Sequence, residues 1–413
     1  MSKNNAYLAF RVHEFRLYAA MRLFLTMALS LPPVLLGWRL YELTHDALVL
    51  GNVFLAEVIP ALLLSLFAGH IVDSIDKRKL LLVCFAGYLI YGITLLAIMS
   101  DWAFGQFEQT QIIWTVYAAM FWGGAVRAFS EPVGFALLPQ LVPRELLVNA
   151  ATWSSTSWQM GNIVGPAVAG WCYSWIGMDG SLGLMLFFML VAAICVFLMT
   201  PKPPVGVRAA GETVWQSLTI GLQFVFRTKA VLGALSLDMF AVLFGGAVAL
   251  LPIFAETILH VGPQGLGMLR SAPAVGTCLT LVAVAYFPIT KNVGIKLLLA
   301  VFGFGASMIL FGLSQNIYLS FFALFASGAL DGVSVHIRRN ILQLKTPDVM
   351  RGRVAAVNSM FIGSSNELGG YESGLTARLM GAVPAVVMGG CLTLTVVIVM
   401  WLTTPALRKM NLH

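Results

Sequence analysis

GHIVDSIDKRK, residues 69–79, sets five charges (Asp73, Asp76, Lys77, Arg78 and Lys79) within seven positions of a chain in which only 10% of residues are charged. Long apolar runs flank it on both sides, each enough to cross a bilayer, which takes about 20 helical residues. A short polar knot between two such runs is a loop at a membrane surface. That reading makes the chain an all-α integral membrane protein, and the remainder repeats the pattern. Its 413 residues are 59% hydrophobic with a mean hydropathy of +0.86, against roughly 45–50% apolar content in soluble domains. Twelve transmembrane helices are expected, at about 15–42, 48–71, 80–99, 111–138, 148–176, 181–200, 230–259, 263–287, 294–313, 317–338, 354–379 and 382–403. The first run is too long, and too polar at its flanks, for a cleavable signal peptide.

The net charge of +7 is decided by location. Counting the gaps from a cytoplasmic N-terminus, the even gaps and both ends hold 20 of the 25 basic residues. The other five (Arg22, Arg39, Arg127, Arg270 and Arg378) lie within or at the ends of runs. This is the positive-inside pattern with both termini cytoplasmic, so the basic charge orients the chain in a membrane and no nucleic-acid partner is expected. Cys84, Cys172, Cys195, Cys278 and Cys391 all fall inside apolar runs without paired spacing, and the six histidines are scattered, so neither disulfides nor a metal site are expected.

The longest polar interruption, PKPPVGVRAAGE at 201–212, reads as a linker, followed at 213–228 by a short amphipathic helix for the cytoplasmic surface. It divides the chain into an N-terminal six-helix bundle (1–200), a cytoplasmic connection (201–229) and a C-terminal six-helix bundle (230–413). LPQLVPRELLVNAATWSS (138–155) and LQLKTPDVMRGRVAAVNSM (342–360) share Leu, then Pro, then Ala-Ala-x-x-Ser, at an offset of about 204 residues. A duplicated, pseudo-symmetric transporter predicts such a repeat.

Gly69, then Asp73, then the cluster Lys77-Arg78-Lys79 resembles the loop signature of the major facilitator superfamily, with Ser74 and Asp76 departing from its usual basic residue and glycine. The second departure, with ALLPQLVPRE (136–145), DMFAVLFGGAVALLPIFAETIL (238–259) and RGRVAAVNSMFIGSSNELGGYESG (351–374), is similar to the branch containing the enterobactin exporter and the macrolide-efflux proteins. Two readings of the loop stand. In one, Gly69, Asp73, Lys77 and Arg78 form a cytoplasmic gate, an acid at a helix end pairing with a base or a neighbouring helix N-terminus. In the other, the charges only fix topology.

Ionisable side chains inside a bilayer cost about 2.5–3.5 kcal/mol each, so each is a functional candidate. The proton-coupling candidates are Glu57, Asp238, Glu367 and Glu372, and the cavity charge candidates are Arg22, Arg127, Glu131 and Asp331. The resemblance implies that the first, fourth, seventh and tenth spans line the cavity and that the second faces the eleventh, bringing Glu57 toward Glu367 and Glu372. Carboxylates gathered in a dry cleft repel one another and lose hydration, which favours the protonated form; no base is evident beside these three. They either carry a coupling proton or are merely hydrogen-bonded. Arg22 and Asp238 are expected to pair, and Arg127 and Glu131, four apart on one helix face, to neutralise each other. Gly161, Gly165, Pro166 and Gly170 in GNIVGPAVAG partly match the helix-5 motif of the superfamily's antiporters; ordinary small-residue packing is the alternative. GSSNELGG (363–370) reads as a discontinuous segment lining the pathway.

The sequence holds no phosphate loop and no G-x-S-x-G nucleophile motif, so no cofactor and no enzymatic activity are expected. The expectation is a monomeric secondary transporter of a bacterial inner membrane that exports an amphiphilic small molecule, a siderophore or hydrophobic drug, against protons, in contact with membrane lipid. A lipid flippase, an importer, and a non-transporting receptor or scaffold remain as alternatives.

Overall fold

The computed structural model describes residues 7–201, 214–287, 289, 291–347, 350–408 and 410. Among them every regular element is helical. The longer helices are α1 (His13–Ser30), α2 (Pro32–Thr44), α3 (Ala47–Ser74), α4 (Lys77–Met99), α5 (Gln109–Leu141), α6 (Leu147–Phe197), α7 (Val214–Arg227), α8 (Lys229–Gly245), α9 (Gly262–Tyr286), α10 (Val293–Leu313), α11 (Ile317–Lys345), α12 (Arg351–Met380) and α13 (Ala382–Thr403). Among the described residues, ten helical segments are long and apolar enough to cross a membrane. Their outward surface carries large apolar side chains in the open, such as Phe135, Trp175, Phe287 and Leu402, as a lipid-facing surface requires.

Two long helices need comment. At about 1.5 Å per residue, the 51 residues of α6 extend far beyond a hydrocarbon core of about 30 Å. They are divided at Gly177, whose φ of 70° and ψ of −170° suit glycine alone, and the fifth and sixth expected spans lie on either side of that break. The 30-residue α12 holds the eleventh expected run. Asn358, Asn366, Glu367 and Glu372 make it too polar to count among the ten.

The chain forms two compact units, residues 1–36 with 56–210 and residues 37–55 with 211–413. The core of the first gathers Phe15, Tyr18, Leu81, Phe85, Val133, Leu137, Ala150 and Val196. That of the second gathers Val225, Val231, Leu235, Leu297, Ile337, Ile341, Val354 and Val397. The sequence offset of 204 carries Val133 and Leu137 onto Ile337 and Ile341, and all four are buried core residues of their own unit. The repeat therefore extends from sequence to packing.

Lipid tails are as apolar as leucine, so packing in a bilayer depends on close approach rather than on escape from water. α6 lies on α1 this way. A methyl group added to Gly161 would fall 2.6 Å from Thr26 Cβ, and one on Gly165 2.6 Å from Ser30 Cβ. Pro166 and Gly170 are buried beside them. These contacts give Gly161 and Gly165 a packing role within the first unit.

The described residues begin again at 214, so all of the linker expected at 201–212 except Pro201 lies outside them. The backbone from 363 to 370 is unbroken helix, which corrects the expectation of a discontinuity there. The discontinuity belongs to the seventh span. α8 ends at Gly245, and the chain resumes as a 3-10 turn (Val248–Leu250), a helical turn (Leu251–Ile253) and a π turn (Phe254–Ile258). A methyl on Gly245 would meet the Phe304 ring at 2.7 Å, and Ser373 Oγ donates to the freed Gly246 carbonyl at 2.7 Å. Glycine permits the close approach and the serine satisfies the interrupted ladder.

Candidate functional site

The charged loop that opens the sequence is an arrangement of helix caps. Asp76 starts α4, its Oδ1 accepting from the Lys79 backbone N–H at 3.0 Å, as a short acidic side chain does at an N-cap. Lys77, expected in an exposed loop, is 3% exposed. Its Nζ donates to the carbonyls of Val72 at 2.6 Å and Ile75 at 3.4 Å, closing the end of α3. Arg78 Nη2 donates to Phe197 O at 2.5 Å and Nε to Val196 O at 3.3 Å, with the guanidinium 5.6 Å above the Phe197 ring. Cations at helix C-termini satisfy orphan carbonyls and face the negative end of the dipole. Nearby, Glu14 accepts from the backbone N–H of Thr200 at 3.0 Å and from its hydroxyl. Gly69 and Asp73, the other two gate candidates, fall on the backbone of α3, and the Asp73 side chain is outside what the structure describes.

The second feature is a carboxylate–arginine–carboxylate triad inside the first unit. Arg127 Nη1 donates to Glu57 Oε1 at 2.8 Å, and Arg127 Nε donates to Glu131 Oε1 at 3.1 Å. Arg127 meets Glu131 as their spacing predicts, and it is also the base beside Glu57 that is not evident from sequence, which corrects that expectation. Gly124 explains why. A methyl there would fall 2.1 Å from Glu57 O, so glycine lets α5 touch the α3 backbone, and Arg127, three residues on, lies beside the carboxylate. Tyr88 and Ser130 share a hydrogen bond at 2.7 Å, and Trp122 Nε1 donates to Gly87 O at 2.9 Å, both joining α4 to α5. Glu57 is 22% exposed and Glu131 67%. With both acids ionised the triad carries one net negative charge, and one proton neutralises it.

The third feature corrects the expected Arg22–Asp238 pair. Asp238 of α8 is bonded to Arg338 of α11, the two side chains being 9% and 4% exposed. Arg338 sits at the edge of an apolar run, where sequence alone reads it as a cytoplasmic topology signal. Helical continuation of α11 to Lys345 carries it inside instead. Arg22 remains with Nε buried and without a hydrogen-bond partner among the described residues. Asp331, Glu367 and Glu372 are partly buried, and Thr376 Oγ1 donates to Glu372 at 2.8 Å within α12.

In the second unit, the hairpin of residues 37–55 is built closely onto α12. A methyl on Gly374 would fall 2.7 Å from both Ala47 O and Gly51 Cα, and one on Gly370 2.6 Å from the Phe54 ring. Arg378 Nη1 lies 3.5 Å from Asp46 Oδ2. Among the described residues no group of three or more His, Cys, Asp and Glu side chains is placed to hold a metal.

The family model described as Major Facilitator Superfamily matches residues 18–370. The chain is 23% identical over 349 residues to the enterobactin exporter EntS of Shigella boydii serotype 4 (strain Sb227), an alignment covering 82% of this chain and 79% of that one. Its fold is similar to a POT family transporter solved in complex with 5-aminolevulinic acid, with TM-score 0.74 at 11% identity over 96% of this chain and 97% of that one. It is also similar to a bacterial homologue of the human lysosomal transporter Spinster, with TM-score 0.66 at 13% identity over 97% and 96% of the two chains.

Proposed function

Because the chain belongs to the Major Facilitator Superfamily and is a multi-pass membrane transporter, we propose that it exports an amphiphilic small molecule across a bacterial inner membrane in exchange for protons. The observation that carries this reading is the Glu57–Arg127–Glu131 triad, one cation shared by two acids within membrane spans. A neutral cluster crosses the states of a transport cycle at less cost than a charged one. One proton taken up by the triad from the outer side removes its net charge and favours the return step. Its release to the cytoplasm restores the charge and readies the protein for substrate. The family relationship to an enterobactin exporter supports an amphiphile of the siderophore or hydrophobic drug class.

The remaining architecture suits alternating access by a monomer. Twelve spans follow if α6 is counted as two and α12 is included, giving two six-helix bundles with both termini cytoplasmic. On that topology the α2–α3 turn and the end of α12 face outward, so the Gly51–Gly374 contact and the Asp46–Arg378 pair serve as an outer latch. A partly exposed ion pair is worth about 1 kcal/mol or less, weak enough to open in every cycle.

Reconstituted in proteoliposomes, the protein is expected to accumulate an amphiphilic dye under an imposed pH gradient and to stop when nigericin collapses the gradient; an unchanged rate after collapse would refute proton coupling. Gly374→Val is expected to hold the latch apart, since its side chain would overlap Ala47 O and Gly51. Transport should fall more than about tenfold, because overpacking of a closed contact typically costs about 1–3 kcal/mol. An impermeant maleimide should label Asp46→Cys faster in that background, and equal labelling with full transport would remove the latch.

A further inference from the structure

The two units make an unequal use of the same helix contact. In the second unit, α8 presents Asp238 to Arg338 of α11, and the pair is closed. The repeat offset of 204 carries Arg338 back to Gly134 of α5. There the partner helix is α1, and the residue it presents is Arg22, whose Nη1 lies 3.6 Å from where a methyl on Gly134 would sit. The first unit thus keeps a cation at this contact and has glycine where the second unit's pair has its other charged member.

No protein group among the described residues meets the Arg22 Nε. The polar neighbours are already committed: Tyr18 OH donates to Gly134 O at 3.0 Å, and Ser154 Oγ donates to Tyr18 OH at 3.4 Å. Glu57 and Glu131, the acids of this unit's spans among the site candidates, are both held by Arg127. A guanidinium carries its charge wherever it sits and so calls for an anionic partner. Its planar fork matches the two oxygens of a carboxylate, sulfonate or similar oxyanion, and glycine leaves room beside it.

We propose that Arg22, at the α1–α5 contact beside Gly134, binds the anionic group of the transported molecule, so that the substrate is an organic anion with an apolar body. This deepens the transport reading and rests on it. Between turnovers the cation would be solvated or screened, and the incoming oxyanion would close the pair that Asp238 and Arg338 close internally in the other unit.

The test compares two dyes with one xanthene scaffold and opposite charge, fluorescein and rhodamine 123, by fluorescence anisotropy on the full-length protein in lipid nanodiscs. Wild type is expected to bind fluorescein, Arg22→Gln to weaken it at least about tenfold, and Arg22→Lys to retain part of the affinity. Gly134→Asp, which supplies an internal partner, should weaken it as much as Arg22→Gln without lowering thermal stability. Rhodamine 123 should be unaffected by all three. Equal fluorescein affinity in wild type and Arg22→Gln, including no binding by either, would overturn the assignment, as would parallel losses for both dyes. Gradient-driven movement of rhodamine 123 in proteoliposomes, measured alongside, shows whether the transport reading survives such a failure.

Discussion

Asp238→Leu is expected to destabilise the protein by about 3–5 kcal/mol, because it leaves the Arg338 guanidinium charged, buried and without its partner. Arg338→Leu should cost a similar amount by stranding the carboxylate. Replacing both, as Asp238→Leu with Arg338→Leu, should recover most of the loss, since a well-packed apolar pair of similar volume is often as stable as a buried ion pair. The measurement is thermal or denaturant unfolding of the four proteins in one detergent, treated as a double-mutant cycle. Glu131→Gln is the control: its carboxylate is 67% exposed, and an exposed pair contributes about 1 kcal/mol or less. Additive losses at positions 238 and 338 would mean that the two side chains do not act as a pair.

The second large effect is on coupling. Glu57→Gln should remove the site's capacity to gain and lose a charge while keeping a hydrogen bond to Arg127 through the amide oxygen. Gradient-driven transport should fall by about a hundredfold or more, a scale on which each 1.4 kcal/mol is a factor of ten, with the fold intact. Arg127→Gln should be as damaging for a different reason, since it leaves Glu57 and Glu131 facing each other without the cation between them. Glu131→Gln, at the exposed end of the triad, should retain more transport than either. If all three variants transport at the wild-type rate, the triad is structural.

How much of this was legible in the sequence depends on the range of the interaction. The helices were, because an apolar run long enough to span a bilayer announces itself residue by residue. The Arg127–Glu131 contact was as well, being four residues apart on one helix. The Arg127–Glu57 contact was not: 70 residues separate the partners, and what brings them together is the glycine at 124, whose meaning appears only once α3 lies against it. Arg338 was misread because a cation at the edge of an apolar run looks the same in sequence whether its helix stops or continues. Lys77 and Arg78 lie at the expected junction between two spans, but in the first turn of α4 rather than in a loop. Their long stems fold back to cap α3 and α6, a choice no spacing rule records. The break after Gly245 stayed hidden because FGGAVALLP is apolar throughout, so the run looks continuous, whereas the polar, glycine-rich 363–370 looked broken and is helical.

Proton movement measured together with substrate exchange tests the triad most directly. With a pH-sensitive dye trapped inside proteoliposomes, wild type should alkalinise the lumen when amphiphile is added outside, because entering amphiphile is exchanged for protons that leave, whereas Glu57→Gln should exchange labelled for unlabelled amphiphile at close to the wild-type rate with no change in lumenal pH. A Glu57→Gln protein that moves protons with substrate as the wild type does would contradict the account.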